Sequence, residues 1–189
     1  MIAIVPYQRD WPDQFASLGR VLRDVVGDLA LRIDHIGSTS VPGLAAKDIV
    51  DIQVTACALT TQLDGALNRA GYERLPHITR DHVPLGGPED PGQWSKWFYN
   101  QRGDVGQVNL HVRMAGRVNQ RYAVLFRDYL RASAEAAAAY GRVKRSLAGY
   151  HAEDEEAYYA IKDPVCDIIM AGAEAWARTT GWAVGPSDQ

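Results

Sequence analysis

Apolar side chains recur along the chain at two different spacings, and each spacing predicts one type of element. In residues 10–28 they recur every three or four positions, which is typical of an amphipathic helix. Residues 31–37 and 48–55 instead alternate apolar and polar side chains, which is the two-residue period of a strand. The first strand should end at Gly37, and the second should have one apolar face and one partly polar face.

The remaining spacings predict a short helix, a loop, two more strands and a helical C-terminal part. The short helix should run from about Leu59 to Ala70. A long loop rich in proline and glycine should follow over Pro76 to Gln93. Strands are expected near residues 96–101 and 107–114, and from Val118 onward the spacing is helical.

This order of elements predicts an α+β fold in a single domain. Residues 1–115 should form an α/β core with a mixed sheet, and residues 116–189 a helical segment packed on it. Pro164 should kink or split the last helix because it has no amide hydrogen, and Asp163 is placed to cap the second half. The final residues, 184–189, should fray.

Composition narrows the classes of partner. The 189 residues are 47% hydrophobic with a formal net charge of −3, so neither nucleic acid nor an anionic membrane is the expected partner. Cys57 and Cys166 lack the spacing of a zinc site or a disulfide framework, which favours a reducing cytoplasm. No secretion signal and no apolar run of about 18 residues occur, so we expect a cytoplasmic protein with a small soluble ligand.

The turn between the two predicted strands has the composition of an anion-binding loop. Gly37 tolerates a positive φ and lets a phosphate approach the backbone, and the hydroxyl groups of Ser38, Thr39 and Ser40 stand beside it. Asp51 follows on the next strand, where a carboxylate could hold Mg²⁺ against the same phosphate. Glycine, proline and hydroxyl residues also make ordinary loops, so these residues alone leave both interpretations open.

Residues 32–55, RIDHIGSTSVPGLAAKDIVDIQVT, resemble the signature of the GrpB family, which is placed in the nucleotidyltransferase superfamily. The resemblance continues at VNLHV, LFRDYLR, YGRVKRSLA and YYAIK, so it covers nearly the whole chain. The sequence of these stretches is similar to that of the GrpB-type domain fused behind dephospho-coenzyme A kinase in actinobacteria. Since the chain starts at the GrpB part and lacks a G-x-x-x-x-G-K-[ST] loop, we expect a standalone protein without kinase activity.

The resemblance implies that the Gly37–Ser38 turn holds phosphate and that Asp51 is the first carboxylate of a metal-binding strand. Active superfamily members usually carry a second carboxylate two residues on, where this chain has Gln53. A third carboxylate is usual on a later strand, where this chain offers Asn109 and His111. One aspartate with two amides and a histidine is a poor magnesium site, because two-metal catalysis needs concentrated negative charge.

Histidine, arginine and lysine side chains could complete such a site. His111 could supply a proton or contact a phosphate, and Arg113 shares its strand face, although both are equally explained as structural residues. Lys47, at the exit of the loop, could reach a phosphate or balance Asp51, or be a solvated lysine.

Two predicted helices each carry a tyrosine four residues before a lysine, Tyr140 with Lys144 and Tyr158 with Lys162. Each pair could stack on a base and bind a phosphate, or could be a half-buried ring with a lysine stem alongside.

The leading hypothesis is a cleft that binds a nucleotide or another phosphorylated small molecule, with Mg²⁺ at Asp51 and with transfer of a nucleotidyl group to a hydroxyl acceptor. In that hypothesis Asp51 and His111 are the catalytic residues. The alternative is a catalytically degenerate module that binds a ligand or a partner chain. The residues expected to contact the ligand are Gly37, Ser38, Thr39, Ser40, Lys47, Arg113, Tyr140, Lys144 and Lys162.

Overall fold

Five strands form one mixed sheet in the computed structural model, which describes residues 1–103 and 106–189. The strands are β1 (Arg32–Ile36), β2 (Ile49–Ala56), β3 (Glu73–Arg74), β4 (Trp97–Gly103) and β5 (Gly106–Met114). Their order across the sheet is β1-β2-β5-β4-β3. Strands β2 and β5 are parallel, and the other neighbours are antiparallel.

The described helices divide between the two faces of the sheet. They are α1 (Trp11–Val26), α2 (Thr61–Arg69), α3 (Val118–Ala132), α4 (Ala134–Tyr150) and α5 (Glu155–Thr180). The main hydrophobic core lies where α1 and α2 pack on one face, and α3, α4 and α5 cover the other. None of these helices combines the length and the apolar character that crossing a membrane requires.

The alternation along β2 explains this division. Val50, Ile52 and Val54 are almost fully buried in the core beneath α1 and α2. Asp51 and Gln53 project from the opposite face, because successive side chains of a strand point to opposite sides. One strand therefore supplies both an apolar core and a polar surface under the C-terminal helices.

The predicted α+β class with a mixed sheet is confirmed. The two strands that flank the Gly37 turn are neighbours, with Ile36 opposite Asp51 and Asp34 opposite Gln53. The segment expected as a loop is largely irregular, apart from the single helical turn Pro91–Trp94.

Of the two outcomes expected at Pro164, a kink or a split of the last helix, the split does not occur. Helix α5 runs without interruption from Glu155 to Thr180. Asp163 therefore caps no new helix. Its carboxylate instead accepts a hydrogen bond from Lys162 Nζ. Packing against α4 before the proline, and against α3 and α4 after it, outweighs the single backbone hydrogen bond that is lost.

The prediction that residues 184–189 fray is also wrong. The Ser187 hydroxyl accepts a hydrogen bond from Ile33 N at 2.9 Å, and the amide of Gln189 donates to Ile33 O at 3.1 Å. The Asp188 carboxylate accepts from the buried Arg127 at 2.7 Å. Strand β1 lies at the edge of the sheet, so its outer backbone groups are free to bind this tail.

Candidate functional site

A cleft of about 890 Å³ lies between the polar face of the sheet and helices α3, α4 and α5. This volume is in the range of pockets that hold small molecules. The Gly37–Ser38 turn and Asp51 line one part of the cleft, and Asp81 and Arg113 line another.

Gly37 lets the turn and Asp51 approach each other closely. Its φ of 69° lies in the left-handed region that favours glycine. A Cβ atom at this position would lie only 2.8 Å from Asp51 Cβ and would overlap the carboxylate. The predicted adjacency of the glycine turn and the aspartate is therefore present in the fold.

The three hydroxyl groups of the turn have different partners. The Ser38 hydroxyl accepts a hydrogen bond of 2.6 Å from Lys144 Nζ in the cleft. Thr39 Oγ1 pairs with His35 Nε2 at 3.0 Å, and the Ser40 hydroxyl donates to Gly37 O at 2.6 Å. Ser38 thus faces a cation, whereas Thr39 and Ser40 stabilise the turn itself.

His35 lies on the other face of the sheet from Asp51, where its ring stacks on Phe15 with centroids 4.7 Å apart. Burial lowers the pKa of His35 to about 4, so the ring is neutral at pH 7. This placement agrees with a structural role for His35.

Lys144 is a buried cation, with only 3% of the residue exposed. Its ammonium lies 4.6 Å from the centre of the Tyr140 ring, and within the described residues it forms no ion pair with a carboxylate. Burial lowers the pKa of Lys144 to about 7. The Tyr140–Lys144 pair expected from helical spacing is therefore present inside the cleft.

Two more lysines line the same cleft and meet around Tyr159. Lys47 Nζ donates to the Tyr159 hydroxyl at 3.1 Å, and Lys162 Nζ lies 5.2 Å from the centre of that ring. Lys162 therefore contacts Tyr159, whereas Tyr158 was its expected partner. Its charge is balanced by Asp163, 2.7 Å away.

Asp51 lies beside Asn109 and His111, which project from the neighbouring strand β5. Asn109 Nδ2 donates to the Asp51 carboxylate at 3.0 Å, and His111 Nε2 lies 3.7 Å from the same oxygen. Burial raises the pKa of Asp51, but these two neighbours outweigh burial and hold the pKa below its usual value. Asp51 is therefore ionised at neutral pH.

The partners of His111 determine where its proton resides. Nδ1 faces Lys96 Nζ at 3.3 Å and Arg113 Nη2 at 3.2 Å, and both of these groups can only donate. Burial, and then these two cations, lower the pKa of His111 to about 4. The neutral ring therefore carries its proton on Nε2, which faces Asp51. His111 presents a hydrogen-bond donor to the cleft, not a base.

The pattern of the sequence did not reveal Asp81, the centre of a buried polar network. Its carboxylate accepts two hydrogen bonds of 2.8 Å from Arg113, one of 2.7 Å from Lys96 and one of 2.9 Å from Asn119. This network ties the irregular segment that carries Asp81 to the sheet and to α3. Arg113, expected to contact a phosphate, is instead held mainly by Asp81.

Gln53, at the position of a second carboxylate, is fully buried and has both ends of its amide bonded. Its oxygen accepts from Arg113 Nη1 at 2.7 Å, and its nitrogen donates to Gln120 O at 3.2 Å. In the described residues no group of three or more histidine, cysteine, aspartate or glutamate side chains could hold a metal ion. The donor set around Asp51 does not fit the magnesium ion that the resemblance implies.

A five-stranded mixed sheet with helices on both faces, and a Gly37–Ser38 turn beside Asp51 of the next strand, defines an α+β protein with the turn that the resemblance implies. The chain belongs to the GrpB family. The model of that family, described as "GrpB protein", matches residues 1–171. It is similar to the conserved protein GrpB from Enterococcus faecalis, with a TM-score of 0.74 and 26% identity, over 92% of this chain and 99% of that one.

Among curated proteins, the UPF0157 protein BH1888 of Halalkalibacterium halodurans is 32% identical, over 92% of this chain and 83% of the relative. A dephospho-CoA kinase of Mycolicibacterium paratuberculosis is 36% identical, over 96% of this chain and 48% of the kinase. This chain thus spans about half the length of the kinases that it matches.

The close approach of Asp51 to Gly37 gives a prediction about stability. Gly43 also has a positive φ, of 78°, but a Cβ atom there would meet nothing within 4 Å. Gly43→Ala should therefore cost only the backbone strain of about 1–2 kcal/mol. Gly37→Ala should cost roughly 1–3 kcal/mol more, because its φ of 69° and ψ of −169° lie in a region that is essentially restricted to glycine and because its methyl group also collides with Asp51. Urea unfolding of both variants measures the difference, and equal losses would contradict the close approach.

The Asp81 network gives a prediction about pH. Burial raises the pKa of Asp81, but Arg113 and then Lys96 outweigh burial and hold the pKa well below its usual range. A carboxylate with a lowered folded-state pKa stabilises the protein above its unfolded pKa of about 4, and this stability is lost as the pH falls further. Asp81→Asn should cost roughly 3 kcal/mol at pH 7, because two buried cations lose their partner.

The loss should shrink in urea unfolding at about pH 3, where the wild-type carboxylate no longer adds its full stability. The exposed Asp24, changed to asparagine, is the matched control and should alter stability by less than about 0.5 kcal/mol. A loss for Asp81→Asn as small as that of the control would contradict the network.

Proposed function

We propose that the cleft binds a phosphorylated small molecule, with a nucleotide as the leading candidate, and that the Ser38 turn and Lys144 bind its phosphate. The observation that carries this proposal is the burial of Lys144 without a carboxylate partner among the described residues. A buried charge costs several kcal/mol unless it is paired. An anionic ligand would supply the missing partner.

The surroundings of Lys144 support a phosphate more than another kind of ligand. Its ammonium already donates to the Ser38 hydroxyl, which can in turn donate to a phosphate oxygen. Lys47 and Lys162 line the same cleft, but each lies near a carboxylate, 3.9 Å from Glu155 and 2.7 Å from Asp163, so they add less charge than Lys144. Hydrogen bonds between a cation and a phosphate are shorter and stronger than neutral ones.

Aromatic side chains in the cleft favour a nucleotide over a phosphorylated sugar. Tyr122 and Phe126 on α3 stack with centroids 6.2 Å apart, and both line the cleft, as does Phe98 on β4. Stacking of a base on an aromatic ring contributes about 1–3 kcal/mol. A ligand with a planar base and a phosphate matches both kinds of lining.

Binding fits the geometry better than nucleotidyl transfer does. Transfer to a hydroxyl needs a group that accepts the proton of the acceptor, and His111 presents an N–H to the cleft. It also needs concentrated negative charge for metal ions, whereas Gln53 is neutral and locked by Arg113. We therefore favour a ligand-binding module over an active transferase.

Removing the Lys144 charge tests the proposal. Lys144→Met should weaken ATP binding about ten- to a hundredfold, the effect of losing one charge-assisted hydrogen bond. The same variant should unfold at a higher temperature, because it no longer buries an unpaired ammonium. Arg142→Met removes an exposed cation from the same helix, outside the cleft, and should change neither property appreciably.

Isothermal titration calorimetry with ATP, in parallel buffers containing Mg²⁺ or EDTA, measures these affinities. Absence of binding to the wild type in both buffers at millimolar ATP would overturn the proposal. Equal affinities of the wild type and Lys144→Met would show that the phosphate binds elsewhere.

The titration of Lys144 predicts that affinity falls with rising pH. Burial is the main cause of its pKa of about 7; Asp51 and Cys166 raise the pKa, and Lys162 and Arg145 lower it. A bound anion favours the charged ammonium, so binding should take up a proton. The affinity should fall by up to about tenfold per pH unit above pH 7, until the pKa of the complex is reached.

Calorimetry between about pH 7 and pH 9, in two buffers of different ionisation enthalpy, measures both the affinity and the proton uptake. The Lys144→Met variant should show neither effect. An affinity of the wild type that stays constant over this interval would contradict the role of Lys144.

A further inference from the structure

We infer that phosphate binding in this cleft needs no divalent metal ion, because fixed cationic side chains supply the neutralising charge. This inference rests on the proposed function, the binding of a phosphorylated ligand at the Ser38 turn. It adds that the nucleotide binds without a metal ion.

The side chains that would face a metal ion are already committed to other partners. One oxygen of Asp51 accepts a hydrogen bond from Asn109 at 3.0 Å. Gln53 is bonded at both ends of its amide, and His111 presents a protonated nitrogen. Magnesium takes about six oxygen ligands in near-octahedral geometry, of which waters and the phosphates of a ligand supply most and one or two protein carboxylates the rest. Asp51 is the one anionic ligand that the polar faces of β2 and β5 offer in the described residues.

The charge in the cleft also opposes a divalent cation. The described residues that line the cleft include six lysine or arginine and four aspartate or glutamate side chains, a formal balance of +2. The whole chain has a formal net charge of −3, so positive charge is concentrated in the cleft. A dication would be repelled by this balance, and a polyanion would be attracted.

Three of the six cations fall into two groups with different consequences. Lys96 and Arg113 are almost fully buried and share the Asp81 carboxylate, so their positions are fixed whether or not a ligand is present. Lys144 stands at the Ser38 turn without a carboxylate partner in the described part of the chain. The first group engages the carboxylate of Asp81, which is then not available to a metal ion, and the second provides the charge that an ion would otherwise bring.

The same geometry changes the role of Asp51. In a metal-assisted site this carboxylate would attract the nucleotide through the ion. Without an ion its negative charge lies close to the turn and repels phosphate, since Asp51 sits against Gly37. The two possibilities predict opposite effects of Asp51→Asn, which keeps the size of the side chain and removes its charge.

Calorimetric titration of ATP into the wild-type protein, in EDTA and in millimolar Mg²⁺, tests the inference. We expect binding in EDTA at an affinity equal to or higher than that in Mg²⁺, because magnesium masks the phosphate charge. Binding that appears only with Mg²⁺ would overturn this inference and leave the proposed function standing. Absence of binding in both buffers would overturn the proposed function, and this inference with it.

Asp51→Asn, titrated in EDTA at about pH 6, below the pKa of Lys144, gives an independent result. We expect its ATP affinity to equal that of the wild type or to exceed it by up to about tenfold, through loss of a like charge. Asp24→Asn, an exposed substitution outside the cleft, should leave the affinity unchanged. A weakened affinity for Asp51→Asn, with an unchanged melting temperature, would overturn the inference.

Discussion

The side chain of Arg113 organises the polar face of the sheet. Its guanidinium donates to the Gln53 amide oxygen, to both oxygens of Asp81 and toward His111 Nδ1. Each contact fixes one property of the site. The Gln53 amide is held in one orientation, the segment that carries Asp81 is held on the sheet, and His111 keeps its proton on Nε2. The planar guanidinium can do this because its donors have fixed directions. A lysine at this position could not make the same set of contacts.

The fold can include this polar network because the hydrophobic core lies on the other face of the sheet. Val50, Ile52 and Val54 pack with α1 and α2, so burial of the apolar face does not depend on the polar one. Hydrogen bonds and ion pairs on the polar face then select geometry more than they add stability, since desolvation offsets much of their Coulomb attraction. The separation of an apolar face from a polar face follows from the two-residue period of β2.

Local patterns in the sequence were sufficient to predict the Gly37 turn beside Asp51, because a short turn leaves its two flanking strands as neighbours. They did not reveal Asp81, whose partner Arg113 lies 32 residues further along the chain, beyond an irregular segment and strand β4. Periodicity carries no information about such a contact. Pro164 is a different case. The local rule that proline interrupts a helix predicted a break there, but packing against other helices keeps the helix continuous.

The contrast between paired and unpaired cations also separates structural residues from ligand-binding ones. Sequence treats Arg113 and Lys144 alike, since each is a cation on an element that lines the cleft. In the fold, Arg113 meets a carboxylate and an amide, so its charge is satisfied before any ligand arrives. Lys144 bonds to a hydroxyl and packs on an aromatic ring, and in the described residues it forms no ion pair with a carboxylate, although Asp51 is near enough to raise its pKa. The pairing of each buried charge, which no residue pattern displays, is therefore the ground on which we propose the Lys144 end of the cleft as the ligand-binding end.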